Sequence, residues 1–129
     1  MLNPGCRVLF VDDEDTILFA VQDYLEPHGY EVDGATDADG AEALLDTHVY
    51  AVAVIDLSLG RGKERQGLEL VRRVRERHPQ TAAVLFTAYS TPDVEREAHR
   101  SGAVVLEKPL PLFAIEAAIE RLRHSGSSE

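Results

Sequence analysis

The chain has 129 residues, 44% of them hydrophobic and 28% charged, which is enough sequence for one domain with its own core and excludes a disordered class. A net charge of −10 speaks against a general nucleic-acid binder, because a phosphate backbone demands cationic surface. The single cysteine, Cys6, excludes an internal disulfide and a multi-cysteine metal site.

Read in chain order, short apolar runs alternate with helical stripes. Val8–Val11 is a first strand. Ile17, Leu18, Val21, Tyr24 and Leu25 form one helical stripe, ended by Pro27 and Gly29. Tyr30–Val32 is a weaker second strand, and Ala41, Leu44 and Leu45 mark a second helix. Tyr50–Ile55 is a third strand. Leu70, Val71 and Val74 mark a third helix, stopped by Pro79. Ala82–Phe86 is a fourth strand. Thr91-Pro92 opens a fourth helix with a hydroxyl cap and a first-turn proline, and Gly102 ends it. Ala103–Leu106 is a fifth strand, and a last helix opens near Pro111 and carries Leu112, Ile115, Ile119 and Leu122. The runs are rich in Val, Ile and Phe without polar alternation, as suits strands buried on both faces of a parallel sheet. Five βα units in a row predict an α/β domain with helices on both faces, since the crossovers are right-handed. Residues 1–129 are expected to form a single domain, with a core of about 7–122 and 125–129 as a tail or the start of a linker.

Charge is unevenly spread. Residues 1–60 hold 13 acids and one base, Arg7, whereas residues 61–77 hold seven bases and three acids. No apolar run approaches the ~18 residues of a membrane span, and Met1–Cys6 is too short and polar for a signal peptide. A cytoplasmic chain without membrane attachment is expected.

In an open parallel sheet the site lies at the carboxyl ends of the strands. Strand one ends in Asp12 and Asp13, strand three in Asp56, strand four in Thr87-Ala88 and strand five in Lys108-Pro109. Clustered carboxylates repel unless a cation sits among them, and hard oxygen ligands suit Mg2+, or Mn2+ in its place. Thr87 is able to donate to a phosphate oxygen and Lys108 to neutralise another. Asp56 is able to attack phosphorus and form an aspartyl phosphate. The competing reading of each aspartate alone is the N-cap of the following helix.

These residues carry a resemblance. Val8-Leu-Phe-Val-Asp-Asp-Glu-Asp15, Val54-Ile-Asp-Leu57, Leu85-Phe-Thr-Ala88 and Glu107-Lys-Pro-Leu110 look like the receiver domain of two-component response regulators, over about Arg7 to Leu122. The resemblance implies a flavodoxin-like (βα)5 fold with sheet order 2-1-3-4-5. It implies a phosphorylation-dependent switch rather than an enzyme acting on a released substrate. Asp56 matches the phosphoacceptor, served by a sensor histidine kinase or phosphotransfer protein. Asp13 matches the direct Mg2+ ligand, Asp12 the ligand acting through water, and the backbone carbonyl of Ser58 the remaining protein ligand. Thr87 matches the switch hydroxyl, Lys108 the lysine of the site, and Lys108-Pro109 a bond that is usually cis. Ala88, Tyr89, Val105 and Pro109 are expected to modulate the site. A downstream protein partner or a missing effector domain is implied, with no direct nucleic-acid binding by this chain, and the expected state is a monomer or weak homodimer.

The sequence also departs from the family pattern. Gly60 stands where a proline is usual, and the loop from Asp56 to Gly67 is about three residues longer than usual. It is either a tolerated insertion or a surface on which Arg61, Lys63 and Arg65 steer an acidic partner. Val105 stands where the family often has an aromatic switch residue. Tyr89 either shields a phosphoryl group from water or covers nearby apolar surface. Arg72, Arg73, Arg75 and Arg77 are expected on the solvated face of helix three, paired in part with Glu69 and Glu76. The five histidines are expected at the surface, and Cys6 is expected to be structural or frayed, with no partner that would activate it. Two other classes of function stay open. One is a phosphohydrolase with an aspartyl nucleophile, to which Asp13-Glu14-Asp15-Thr16 comes close. The other is an interaction module that is not phosphorylated.

Overall fold

Among the described residues strands and helices alternate: β1 (Arg7–Val11), α1 (Asp15–Leu25), β2 (Glu31–Ala35), α2 (Ala38–Thr47), β3 (Val52–Asp56), α3 (Glu64–Arg77), β4 (Ala82–Thr87), α4 (Pro92–Arg100), β5 (Val104–Glu107) and α5 (Leu112–Ser127). The computed structural model describes residues 6–56, 64–88 and 90–127. All strand pairings are parallel and the order is β2-β1-β3-β4-β5, as the resemblance implies.

Side chains alternate between the faces of the sheet, and the apolar strands serve both. Leu9, Val11, Ala53, Ile55, Ala83 and Leu85 pack with Leu45, Leu70, Val74 and Ala98 of α2, α3 and α4. Val8, Phe10, Val52, Val54, Val84 and Phe86 pack with Leu18, Val21, Leu25, Ile115 and Ile119 of α1 and α5. Burial on both faces holds for β1, β3 and β4. It fails at the edges: β2 keeps Glu31 exposed and Asp33 half-buried, and Val104 of β5 is exposed. An edge strand has a neighbour on one side only, so its outer flank meets water.

The helix boundaries follow local chemistry. Asp37 caps α2 by accepting from Gly40 N at 2.7 Å, and Thr91 caps α4 by accepting from Val94 N at 3.2 Å. After α1 the chain turns through a short 3-10 segment, Glu26–His28, and Gly29 takes φ +97°, a conformation closed to most side chains.

Several expectations need correction. The second strand begins at Glu31 and runs to Ala35, while Tyr30 turns its hydroxyl to Glu120 of α5. Gly67 lies inside α3, which already begins at Glu64, so Glu64–Gln66 belong to its first turn, where an acid favours the helix dipole. The expected tail at 125 is helical through Ser127, since extending an established helix by one residue costs little. Arg75 is no solvated side chain: it donates to the Pro79 and Thr81 carbonyls at 3.1 and 2.7 Å. Arg73 and Arg77 reach Glu42 of α2, whereas Arg72 does pair with Glu69 and Glu76 as the spacing predicts. Arg7, the lone base of residues 1–60, joins Glu31 at 2.7 Å and Asp33 at 3.1 Å. None of the histidines is buried, and Cys6 is buried in the α1–α5 core, where burial pushes its thiol pKa up.

Candidate functional site

The carboxyl ends of β1, β3, β4 and β5 meet at one edge of the sheet, and register decides which side chains share it. Phe10 pairs with Val54 and Asp56 pairs with Phe86. Two residues beyond the first pair, Asp12 follows Phe10 as Asp56 follows Val54. Residues two apart point to the same face, so Asp12, Asp56 and Phe86 continue the row that packs against α1 and α5. Lys108, just beyond the end of β5 and two residues after Leu106, which pairs with Phe86, joins them.

One carboxylate oxygen each of Asp12, Asp13 and Asp56 lies within 4.8 Å of the others. Asp12 and Asp56 are buried and Asp13 is exposed. Lys108 Nζ stands 3.3 Å from Asp12 Oδ2 and 3.5 Å from Asp56 Oδ1, and 5.2 Å from the centroid of the Phe86 ring. The other Asp12 oxygen accepts from Glu14 N at 3.0 Å. The helix-capping reading fails for Asp12 and Asp13: the N-cap of α1 is Glu14, which makes no side-chain cap bond, and Asp12 only ties down the chain that enters the helix. Thr87 is buried at the end of β4, and its carbonyl accepts from Lys108 N at 2.7 Å. That bond fixes the start of the lysine segment against β4. The Lys108–Pro109 peptide bond is cis.

The donor set fits a divalent cation. Three carboxylates and one ammonium leave a surplus of two negative charges. Carboxylate oxygens within 4.8 Å of one another are close to the spacing of about 3–4 Å across an octahedral shell of 2.0–2.1 Å bonds. Asp15, the further acid of the phosphohydrolase reading, is exposed in the first turn of α1 and lies outside this cluster.

The remaining expected residues divide. Ala88 and Pro109 are exposed beside the site. Val105 is half-buried and packs into the core on the α2–α4 face. Ser58, Gly60, Arg61, Lys63 and Tyr89, and the side chain of Arg65, lie outside the described residues. One feature beside the lysine carries no sequence signal: the Phe86 ring below the ammonium. An apolar core run gives no hint that one of its rings ends against a charge.

Next to the site, a groove of about 360 Å³ runs between α1, the ends of β4 and β5, and α5. Its lining includes Phe10, Ile17, Phe86, Lys108 and Ile115. Among the described residues no helix is long and apolar enough to cross a membrane.

Comparison with known proteins bears on this arrangement. The model of the response regulator receiver domain matches residues 8–120. The alginate biosynthesis transcriptional regulatory protein AlgB of Pseudomonas aeruginosa is 40% identical over 104 residues, covering 80% of this chain and 22% of that protein. The nitrogen assimilation regulatory protein NtrX of Azorhizobium caulinodans is 32% identical over 121 residues, covering 90% of this chain and 26% of its own. The chain thus spans about a quarter or less of these two relatives' length. Among solved structures, a CheY-like receiver domain protein from Methanospirillum hungatei JF-1 superposes with a TM-score of 0.87 at 24% identity, covering 94% of this chain and 95% of that one. The receiver domain of an HD domain-containing protein from Pseudomonas fluorescens Pf-5 gives 0.86 at 25% identity, covering 96% and 98%. With the sheet order, the acidic strand ends and the lysine beside them, the match over residues 8–120 makes this chain a member of the response regulator receiver domain family.

Proposed function

We propose that the chain is a phosphorylation-dependent switch that accepts a phosphoryl group on Asp56 from a partner histidine kinase or phosphotransfer protein, with Mg2+ as cofactor. The observation that carries this reading is the meeting of Asp12, Asp13 and Asp56 at one point, with Lys108 between two of them. An Asp56 carboxylate oxygen attacks phosphorus; the new P–O bond forms as the bond to the donor breaks, and the donor leaves with that electron pair. Such transfer depends on positioning and on charge stabilisation. Lys108, already 3.5 Å from Asp56, offsets charge on one phosphoryl oxygen. The Thr87 hydroxyl, buried at the adjacent strand end, donates to another. Asp12, Asp13 and Asp56, with the backbone carbonyl of Ser58, would hold the Mg2+, which when bound neutralises phosphoryl charge. Ala88, Tyr89, Val105 and Pro109 tune the lifetime of the acyl phosphate or its readout.

On this reading the chain assists only its own phosphorylation and dephosphorylation. It works in the cytoplasm as a single domain, monomeric or weakly dimeric, and passes its state to a protein partner or to an effector domain. Binding of nucleic acid by this chain itself is not part of the reading.

The test is incubation with acetyl phosphate and Mg2+ followed by intact mass. The expected result is a single phosphoryl adduct that Asp56→Asn abolishes and EDTA prevents. Absence of an adduct in the unaltered chain overturns the switch and leaves the unphosphorylated interaction module. Turnover of a generic phosphatase substrate would instead favour the phosphohydrolase.

A further inference from the structure

We infer that Phe86 is a positioning residue for Lys108: its ring forms the lower wall of the lysine's seat and fixes the ammonium between Asp12 and Asp56. The inference rests on the assignment of Lys108 to the phosphoryl site, and it assigns Phe86 a task beyond filling the core.

The geometry points there in three steps. Lys108 Nζ stands 5.2 Å from the Phe86 ring centroid, inside the roughly 6 Å over which an aromatic face attracts a cation. Its two carboxylate partners are at 3.3 and 3.5 Å, at and beyond the long end of charge-assisted hydrogen bonding, so they alone hold the ammonium loosely. A flexible four-carbon stem needs a further contact to keep one conformation.

Register supplies that contact. Phe86 lies beside Asp56 on one side and Leu106 on the other, and Lys108 follows Leu106 on the same face. The lysine must therefore cross over Phe86 to reach Asp56. The ring is itself fixed, because Phe10 meets it edge-to-face at 6.2 Å and 86°. Phe10 lies in β1, two residues before Asp12, which directly follows that strand, so the buttress and the carboxylate are set by one strand. The ring is buried, yet its edge of the α1–α5 groove adjoins Lys108. A leucine would keep the core apolar and leave the ammonium without an aromatic face.

The experiment separates this task from packing. In the full chain without phosphodonor, the ε-methylene protons of Lys108 are expected upfield of ordinary lysine values from the ring current, and back at ordinary values in Phe86→Leu. Val84→Ala, which trims the same core face away from the lysine, is expected to lower stability and leave that shift in place. Acetyl phosphate labelling is expected to slow about three- to tenfold in Phe86→Leu. It should also fall step by step as mono-, di- and trifluorophenylalanine replace Phe86, since fluorine drains the ring face while nearly keeping its shape. An unshifted ε-methylene in the unaltered chain overturns the inference. So does a rate that ignores fluorination while Phe86→Leu and Val84→Ala slow equally. If the unaltered chain takes no phosphoryl group, the phosphoacceptor reading fails by itself, and the ε-methylene comparison still decides the placement of Lys108.

Discussion

Neutralising Asp13 should make the metal-free protein more stable. Its carboxylate lies within 4.8 Å of those of Asp12 and Asp56. At that separation one like-charge pair costs about 0.9 kcal/mol in water and about 3.5 kcal/mol at an effective dielectric of 20. Asp13 is exposed, so the lower figure applies. Two pairs, less the attraction to the Lys108 ammonium, leave about 1 kcal/mol. For a domain of this size that is a rise of roughly 3–6 °C in Tm. The assay is thermal unfolding of the unaltered chain and Asp13→Asn, in EDTA and in millimolar Mg2+. In EDTA the variant should melt higher, by a margin that shrinks with added salt. Mg2+ should raise the Tm of the unaltered chain, because a ligand of the native state stabilises it, and should raise that of the variant much less. An equal or lower Tm for Asp13→Asn in EDTA would refute the reasoning, for the three carboxylates would then not be in mutual repulsion.

Two further substitutions test the frame. Gly102 has φ +86°, and a methyl group there would stand 3.2 Å from Arg75 Nε, in the side chain that binds the Pro79 and Thr81 carbonyls. Gly102→Ala should cost about 1–2 kcal/mol, read from the urea midpoint; an unchanged midpoint would exclude both the strain and the contact. Tyr50 donates to Asp33 at 2.7 Å, and burial, reinforced by that bond, pushes its phenol well above the ordinary range. The unfolded chain releases this proton near pH ~10 while the folded chain keeps it, so the unfolded state binds fewer protons and stability falls as pH rises past that point. In Tyr50→Phe the fall should be shallower, with a remainder to which Tyr30, raised by burial and Glu120, contributes together with Tyr24 and the Cys6 thiol, both raised by burial. Parallel stability curves above about pH 10 would contradict the assignment.

The elements that position the site were legible because their signals are local. Val8–Val11, Ala82–Phe86 and the run before Asp56 are apolar without alternation, which is what burial on both faces demands, and a carboxylate at the end of such a run marks where the sheet meets water. The edges were less legible. Glu31-Val-Asp-Gly-Ala35 mixes polar and apolar residues because one flank of β2 is open, and its start is blurred in the sequence because Tyr30 is as apolar as a strand residue. The start of the third helix is hidden in the sequence, since Glu64-Arg-Gln looks like charged loop until the helix that follows claims it. Arg75 shows a general limit: sequence spacing reveals side-chain partners on the same helix, whereas its partners are backbone carbonyls brought within reach only once the chain has turned after α3. The Phe86 contact is invisible for the same reason, being set by strand register rather than by neighbours in sequence.

The apolar character of β3 has one more consequence. In a sheet with one wet face, a slip of a single residue would expose the greasy row and is strongly opposed. Val52, Ala53, Val54 and Ile55 are all buried, so the run before Asp56 distinguishes its two faces poorly. The aspartate breaks the tie. A slip toward the interior would carry a carboxylate into the core without a partner, at a cost of several kcal/mol. A slip outward would take it from Lys108. The group that is proposed to carry the signal therefore also serves as an alignment mark for the central strand, and Asp56→Asn should be judged by its effect on strand pairing as well as on phosphorylation.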